Sequence, residues 1–255
     1  MSIGNDGRVR STDTPAIRFD HVFKRFNTIN AIDDLTLDIR PGELFGFLGP
    51  NGAGKTTAMK LAAGLVQPTK GAIQIVGWDV QEEPLKAKQI VGFVPDNPYI
   101  YESLTGREFL HYCAGLYKMD SAETARRVAE LFDRFAIGDW ADKRAGEYSH
   151  GMKQRIVMAS AFLHNPKVIL IDEPMIGLDP AGVKLVKKVL REYCASGGTV
   201  FLSTHTLSNA EELSDRIGII NRGKLITCGT LDEVRRDRLH LEDAFLAWTN
   251  PELKL

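Results

Sequence analysis

Three observations predict an α/β fold built on a mainly parallel sheet. Short apolar runs such as Val168-Ile169-Leu170-Ile171 alternate with stretches of helical periodicity, as expected of strands covered by helices. The glycine-rich segment Gly49-Pro50-Asn51-Gly52-Ala53-Gly54-Lys55-Thr56-Thr57 follows the apolar run from Leu44 to Leu48 and opens a helical stretch, giving strand, loop and helix in succession. Two carboxylates, Asp172 and Glu173, close another apolar run, where a parallel strand delivers its C-terminal end to a ligand crevice.

Taken in order, residues 1–15 are polar, with no apolar stretch that could act as a secretory signal, and a frayed tail is expected there. Three strands are expected between residues 16 and 48: residues 17–23, the alternating Leu35, Leu37 and Ile39, and residues 44–48, with Pro41-Gly42 as the turn before the third. A helix runs from Lys55 to about Leu65, because Met59, Leu61, Ala62 and Leu65 recur at helical spacing and Pro68 stops it. Residues 71–76 and 90–94 are further strands. From about Thr105 to His164 the apolar positions follow a helical period, first Phe109, Tyr112, Cys113 and Leu116, then Val128, Leu131, Phe132 and Phe135, then Ile156, Val157, Ala159 and Leu163. This block reads as an inserted helical subdomain. Strands at 168–171, 199–203 and 217–220 then alternate with helices at 181–194 and 208–213.

The 255 residues suffice for a large core, and 44% hydrophobic and 25% charged residues are ordinary for a globular protein. A net charge of -1 and a pI near 6.6 provide no basic field for nucleic acid. Cys113, Cys194 and Cys228 lie far apart, without the spacing of a disulfide framework or a zinc site, which fits a reducing cytosol. No run approaches the length needed to cross a bilayer. The cations Lys184, Lys187, Lys188 and Arg191, and likewise Arg235, Arg236 and Arg238, read as solvated surface.

The chemistry is concentrated in three segments. Glycines in the loop at 49–57 let successive N–H groups face phosphates, and the start of the following helix adds to that anion cradle. Lys55 would reach the β- and γ-phosphates of a nucleoside triphosphate, and the Thr56 hydroxyl would bind Mg²⁺. Asp172 would hold Mg²⁺ directly or through its water, and Glu173 would orient and deprotonate the attacking water. In Tyr148-Ser149-His150-Gly151-Met152-Lys153-Gln154-Arg155, Ser149 and Gly151 suit a helix start that exposes backbone donors.

The order of the phosphate loop, this serine-glycine helix start, Ile171-Asp172-Glu173-Pro174, Gly177-Leu178-Asp179-Pro180 and Ser203-Thr204-His205 resembles the nucleotide-binding subunit of ABC transporters over roughly residues 16–248. The resemblance implies a P-loop NTPase (RecA-like) core at 16–95 and 165–230 with an N-terminal antiparallel β-subdomain. It also implies a helical subdomain at about 96–164, C-terminal helices at 231–248 and a tail at 249–255. It further implies a head-to-tail pair of subunits enclosing two ATP molecules. In that arrangement Ser149 and Gly151 contact ATP across the pair, Asp179 lies in the loop crossing the seam, His205 is the switch histidine near the γ-phosphate, and Phe26 stacks on adenine. Two departures stand out. The family pattern Leu-Ser-Gly-Gly-Gln is Tyr148-Ser149-His150-Gly151-Met152 here, which removes an amide and adds an imidazole. Where a glutamine usually contacts Mg²⁺ and water, Pro95-Asp96-Asn97-Pro98 offers Asp96, expected to contact Mg²⁺ through water and couple the core to the helical subdomain.

The segment at 96–110 and the tail helix around Leu241 to Leu246 resemble the ATP-binding subunits of ABC-2-type exporters. What this implies is an ATPase on the cytoplasmic face of the membrane, powering a separate permease with a second ATP-binding subunit beside it and no nucleic-acid partner. The alternative is a soluble ATPase of the same family acting on ribosomes or DNA, although such proteins usually carry two fused nucleotide units. A guanine-recognition Asn-Lys-x-Asp motif is absent from the sequence, which disfavours a small GTPase.

Overall fold

The computed structural model describes residues 14–235 and 240–249. Most of the two expected tails, together with Arg236 and Arg238, therefore lies outside the described residues.

The chain opens with a hairpin of β1 (Ile17–Phe26) and β2 (Ile29–Ile39), paired from Phe26 opposite Ile29 to Ile17 opposite Ile39 with register shifts between Phe19 and Val22, Val22 and Lys24, and Lys24 and Arg25. Asn27 turns the chain at φ 50, a conformation that asparagine tolerates. Both strands exceed the expected spans of 17–23 and 35–39, because ladder pairs continue as Lys24 opposite Ile32, Arg25 opposite Asn30 and Phe26 opposite Ile29, where apolar and polar residues no longer alternate. Next come β3 (Leu44–Leu48) and α1 (Lys55–Ala62). The helix stops at Ala62 rather than Leu65: Gly64 takes φ 63, its N–H bonds Leu61 O at 3.0 Å, and Leu65 is left exposed.

Then follow β4 (Lys70–Ile75), β5 (Trp78–Asp79), α2 (Pro84–Gln89) and β6 (Val91–Val94). Neither β5 nor α2 has enough apolar repetition to be visible in the sequence. Three helices intervene before the sheet resumes: α3 (Gly106–Leu116), α4 (Ser121–Arg134) and α5 (His150–Phe162). Thr105 and Glu108 close a capping box at the start of α3, and the Asp120 carboxylate caps α4 by accepting from Glu123 N–H. The Tyr148 hydroxyl ties this region together. It accepts from Gly106 N–H at 2.9 Å and donates to Lys143 O at 2.9 Å, just before the chain enters α5.

The remainder runs through β7 (Val168–Asp172), α6 (Pro180–Ala195), β8 (Thr199–Thr204), α7 (Leu207–Leu213), β9 (Arg216–Asn221), β10 (Lys224–Gly229), α8 (Leu231–Arg235) and α9 (Leu241–Thr249). One four-stranded antiparallel sheet has the order β2-β1-β4-β5. A six-stranded sheet has the order β10-β9-β3-β8-β7-β6, parallel throughout except for the β9–β10 hairpin at its edge.

Alternation along the central strands decides which layer each side chain joins. Phe45 and Phe47 on β3 and Phe201 on β8 face the antiparallel sheet, where the Phe201 ring lies 6.0 Å from Phe19, 6.0 Å from Phe45 and 5.3 Å from Phe47. Their neighbours Leu44, Val200 and Leu202 point to the opposite core, shared with α3 to α6. A third, smaller cluster joins Leu48 to Ala210, Val234 and Leu241, with Phe245 and Trp248 of α9 against it. Arg235, expected to be solvated, instead donates to Glu211 at 2.7 Å. One backbone bond binds the two sheets at the phosphate-loop end, Asp33 N–H to Gly223 O at 2.9 Å, and a second, Gly223 N–H to Ala53 O at 2.8 Å, ties the same turn to the glycine loop.

Candidate nucleotide site

The loop between β3 and α1 is shaped by three glycines. At Gly49 a Cβ would collide with the Ile220 carbonyl and lie 2.9 Å from Ile220 Cγ2, so only glycine lets the loop leave β3 against β9. Gly52 adopts φ 78 with open space beside its α-carbon, and Gly54 adopts φ 112 with Ala31 O only 2.5 Å from a would-be Cβ. Ala53 is buried against the antiparallel sheet. What remains is a cleft of about 640 Å³, walled by Asn51, Gly52, Gly54, Lys55, Thr56 and Thr57.

Lys55 begins α1 yet is buried, and its ammonium donates to Gly49 O at 2.8 Å and Pro50 O at 3.3 Å. Burial lowers its pKa, while the charges of Glu173 and Asp172 oppose that shift. Glu173 Oε1 lies 3.8 Å from Lys55 Nζ and 2.8 Å from His205 Nδ1. Lysine, carboxylate and imidazole thus meet at the cleft, brought there by the ends of β3, β7 and β8. Glu173 is itself left-handed at φ 50, a conformation costing about 1 kcal/mol for a residue with a Cβ. Its N–H bonds Ser203 O at 3.1 Å, extending the β7–β8 ladder by one residue and fixing that turn.

Asp172 is almost fully buried. Its Oδ1 accepts the Ser203 hydroxyl, while its Oδ2 has no hydrogen-bond partner among the described residues. A buried carboxyl oxygen without a partner is costly, and a divalent cation is the chemistry that would satisfy it. Asp172 with the Thr56 hydroxyl is therefore a donor set that fits Mg²⁺ arriving with phosphates. Asp96, in the exposed turn after β6, lines the same cleft, and its Oδ1 accepts Asn97 N–H at 2.9 Å.

Other expected residues sit apart from this cleft. Phe26 ends β1, 45% exposed, with the Lys24 ammonium 4.7 Å from its ring centre. Ile29, directly opposite it, lines the cleft along with Asn30 and Ala31. Ser149 caps α5 by accepting Met152 N–H at 3.2 Å, and Asp179 caps α6 by accepting Gly182 N–H at 2.8 Å. Ser149, Gly151 and Asp179 do not line the cleft of their own chain. Sequence reasoning missed Ile29 to Ala31, Ile176 and Arg222 in the wall. Only the turn composition Asn221-Arg222-Gly223-Lys224 signals one of them, as a hairpin after an apolar run.

A glycine loop leaving a central parallel strand, with a buried lysine beneath and two acids at the end of the strand next but one, defines a P-loop NTPase. The ABC transporter family model matches residues 32–176, and the chain belongs to that family. The daunorubicin/doxorubicin resistance ATP-binding protein DrrA of Streptomyces peucetius is 35% identical over 91% of this chain and 72% of its own length. An uncharacterized ABC transporter ATP-binding protein of Nostoc sp. is 41% identical over 78% of this chain, which spans only 59% of that relative's length. Among solved structures, an ATP-binding subunit of an ABC transporter superposes with TM-score 0.85 at 32% identity, covering 91% of this chain and 99% of that one. A dimeric ATP-binding cassette in a post-hydrolysis state bound to ADP and Pi gives TM-score 0.78 at 25% identity, covering 84% of this chain and 98% of that one.

Proposed function

We propose that this chain hydrolyses ATP as one of a pair of nucleotide-binding subunits and that the cycle of closure and reopening drives a separate membrane permease, in the direction of export. The observation that carries the proposal is the convergence of Lys55, Glu173 and His205 at the rim of the glycine-loop cleft.

In this reading the N–H groups of residues 49–57 and the Lys55 ammonium bind the phosphates, and Lys55 leaves the Gly49 and Pro50 carbonyls to do so. Thr56 and Asp172 would hold Mg²⁺, with Asp96 contributing through water, and the chemistry such a cation would supply is charge neutralisation at the phosphates. Glu173 accepts a proton from water as its oxygen bonds to the γ-phosphorus and the bond to the bridging oxygen breaks, leaving ADP and phosphate. His205 fixes that carboxylate by its hydrogen bond and adds charge stabilisation near the γ-phosphate. Phe26 would lie against the adenine. Catalysis of this kind is mostly positioning, which suits side chains mounted on rigid strand ends.

Ser149, Gly151 and Asp179 lie away from their own cleft, which suits a role at a nucleotide held by the opposing subunit, and the dimeric relative bound to ADP and Pi supports such a pair. Among the described residues no helix is long and apolar enough to cross a membrane, in keeping with a peripheral position beneath a permease. The resistance role in DrrA's name favours export. The test is Glu173→Gln, which should keep ATP and accumulate as a dimer in light scattering while turnover collapses. Near-normal turnover would remove Glu173 from the role of base.

A further inference from the structure

The loop from Pro174 to Asp179 connects Glu173 to α6, and the first turns of α5 hold it along its length. At the near end, Gln154 Nε2, buried with its helix, donates to Pro174 O at 3.5 Å. At the far end, Arg155 Nη2 lies 3.8 Å from Asp179 Oδ1. Between them the contact is steric. Gly177 adopts φ 74, and a Cβ there would lie 3.0 Å from His150 Nε2 and nearer still to its Cδ2. The imidazole therefore rests directly on the glycine backbone. The α-carbon of Gly151 is also turned to this loop, since a Cβ on it would meet Gly177 O at 3.3 Å and Leu178 Cδ2 at 3.5 Å. Residues 150, 151, 154 and 155 share one side of a helix, so a single helix face grips the whole loop.

We propose that His150 is a positioning residue: its ring, seated on Gly177, locks the start of α5 to the loop that carries Glu173 and Ile176 of the cleft. This rests on the proposed roles of Glu173 and of the α5 start. The two ends of the lock then serve different nucleotides, Glu173 the one in its own cleft and Ser149 the one across the pair. A shift of one obliges a shift of the other. Because the family pattern has glycine where this chain has His150, the contact belongs to this chain's own version of the motif. The ring acts by occupying space over a residue that has no side chain, so its shape matters and its nitrogens do not.

The experiment compares His150→Ala, His150→Phe, Gly177→Ala and the double variant His150→Ala/Gly177→Ala in the intact chain, reading kcat for ATP and the affinity for a fluorescent ATP analogue. His150→Ala should lower kcat by roughly tenfold through misplacement of the base, with affinity changed less than about twofold because the phosphate loop is untouched. His150→Phe should keep most of the wild-type kcat. The strain of alanine at φ 74 is the same in either background, so it cancels in the cycle, and Gly177→Ala should cost much less once the ring is gone. Losses that multiply independently, an unchanged kcat in His150→Ala, or a Phe variant as impaired as the Ala variant would each overturn the proposal. If Gly177→Ala does not fold, the Ala and Phe variants at 150 decide alone. Wild-type turnover and its collapse in Glu173→Gln report separately on the underlying ATPase reading.

Discussion

Replacing Asp172 by asparagine should leave the nucleotide-free protein almost as stable as before while removing most of the stabilisation that Mg²⁺ and ATP provide. The side chain is buried at the end of β7, with Oδ1 accepting the Ser203 hydroxyl and Oδ2 unpartnered. Asparagine keeps the acceptor for Ser203 and exchanges one unsatisfied buried group for another of equal size, so the change without ligand should stay within about 1 kcal/mol. With Mg²⁺ and a non-hydrolysable ATP analogue at a hundred times its dissociation constant, binding adds about 2.7 kcal/mol to the wild type, whereas a hundredfold weaker complex adds only about 0.4 kcal/mol. For a chain of this size those figures correspond to thermal shifts of roughly 5–10 °C and 1–2 °C. Thermal unfolding with and without the analogue, in Mg²⁺ and in EDTA, measures all four states. A variant that keeps the full Mg²⁺-dependent shift would refute the assignment of that orphaned oxygen to the cation. A drop of several kcal/mol without ligand would refute the claim that the substitution is structurally neutral.

Three further outcomes are expected. Tyr148→Phe deletes the hydroxyl that accepts from Gly106 N–H and donates to Lys143 O; with that N–H buried and unpaired, urea unfolding should show a loss of about 1–3 kcal/mol. Phe201→Ala empties the space between Phe19, Phe45 and Phe47 and should cost about 3–5 kcal/mol, enough to lower expression as well as the unfolding midpoint. His164 is stacked on Tyr117, donates to Val91 O from Nε2, and has a buried Nδ1 with no partner among the described residues. Burial lowers its pKa from 6.5 to about 4. Below pH 6.5 the unfolded chain takes up a proton that the folded one refuses, so stability falls as the pH drops from 6.5 towards 4, by about 3 kcal/mol in all. His164→Gln should flatten that part of the stability-versus-pH curve.

The parallel core was legible because its strands are buried on both faces and so appear as unbroken apolar runs, as at 44–48 and 168–171. The phosphate loop was legible because a motif needing φ above zero and close backbone approach restricts its residues to glycine at Gly52 and Gly54. Less visible were elements held by pairing rather than pattern. Only its hairpin with β9 defines β10, and β5 spans two residues. The site itself was half legible. Lys55, Glu173, His205 and Asp96 line one cleft as their motifs suggested, but Glu173's left-handed backbone and Asp172's unpartnered oxygen follow from the meeting of β7 and β8, which no local window contains. The contact of His150 with Gly177 joins residues in separate motifs, and periodicity along either segment says nothing about it.

Surface hairpins ordinarily tolerate insertions, because their backbone groups find water whatever the length of the turn. The β9–β10 turn is an exception. Gly223, at φ 80 with Ala31 O 3.0 Å from a would-be Cβ, passes one hydrogen bond to Ala53 and receives another from Asp33. A single added residue there would unfasten β2 from the glycine loop at one stroke, so this short bend should be as intolerant of length change as a buried helix, despite lying at the rim of the molecule.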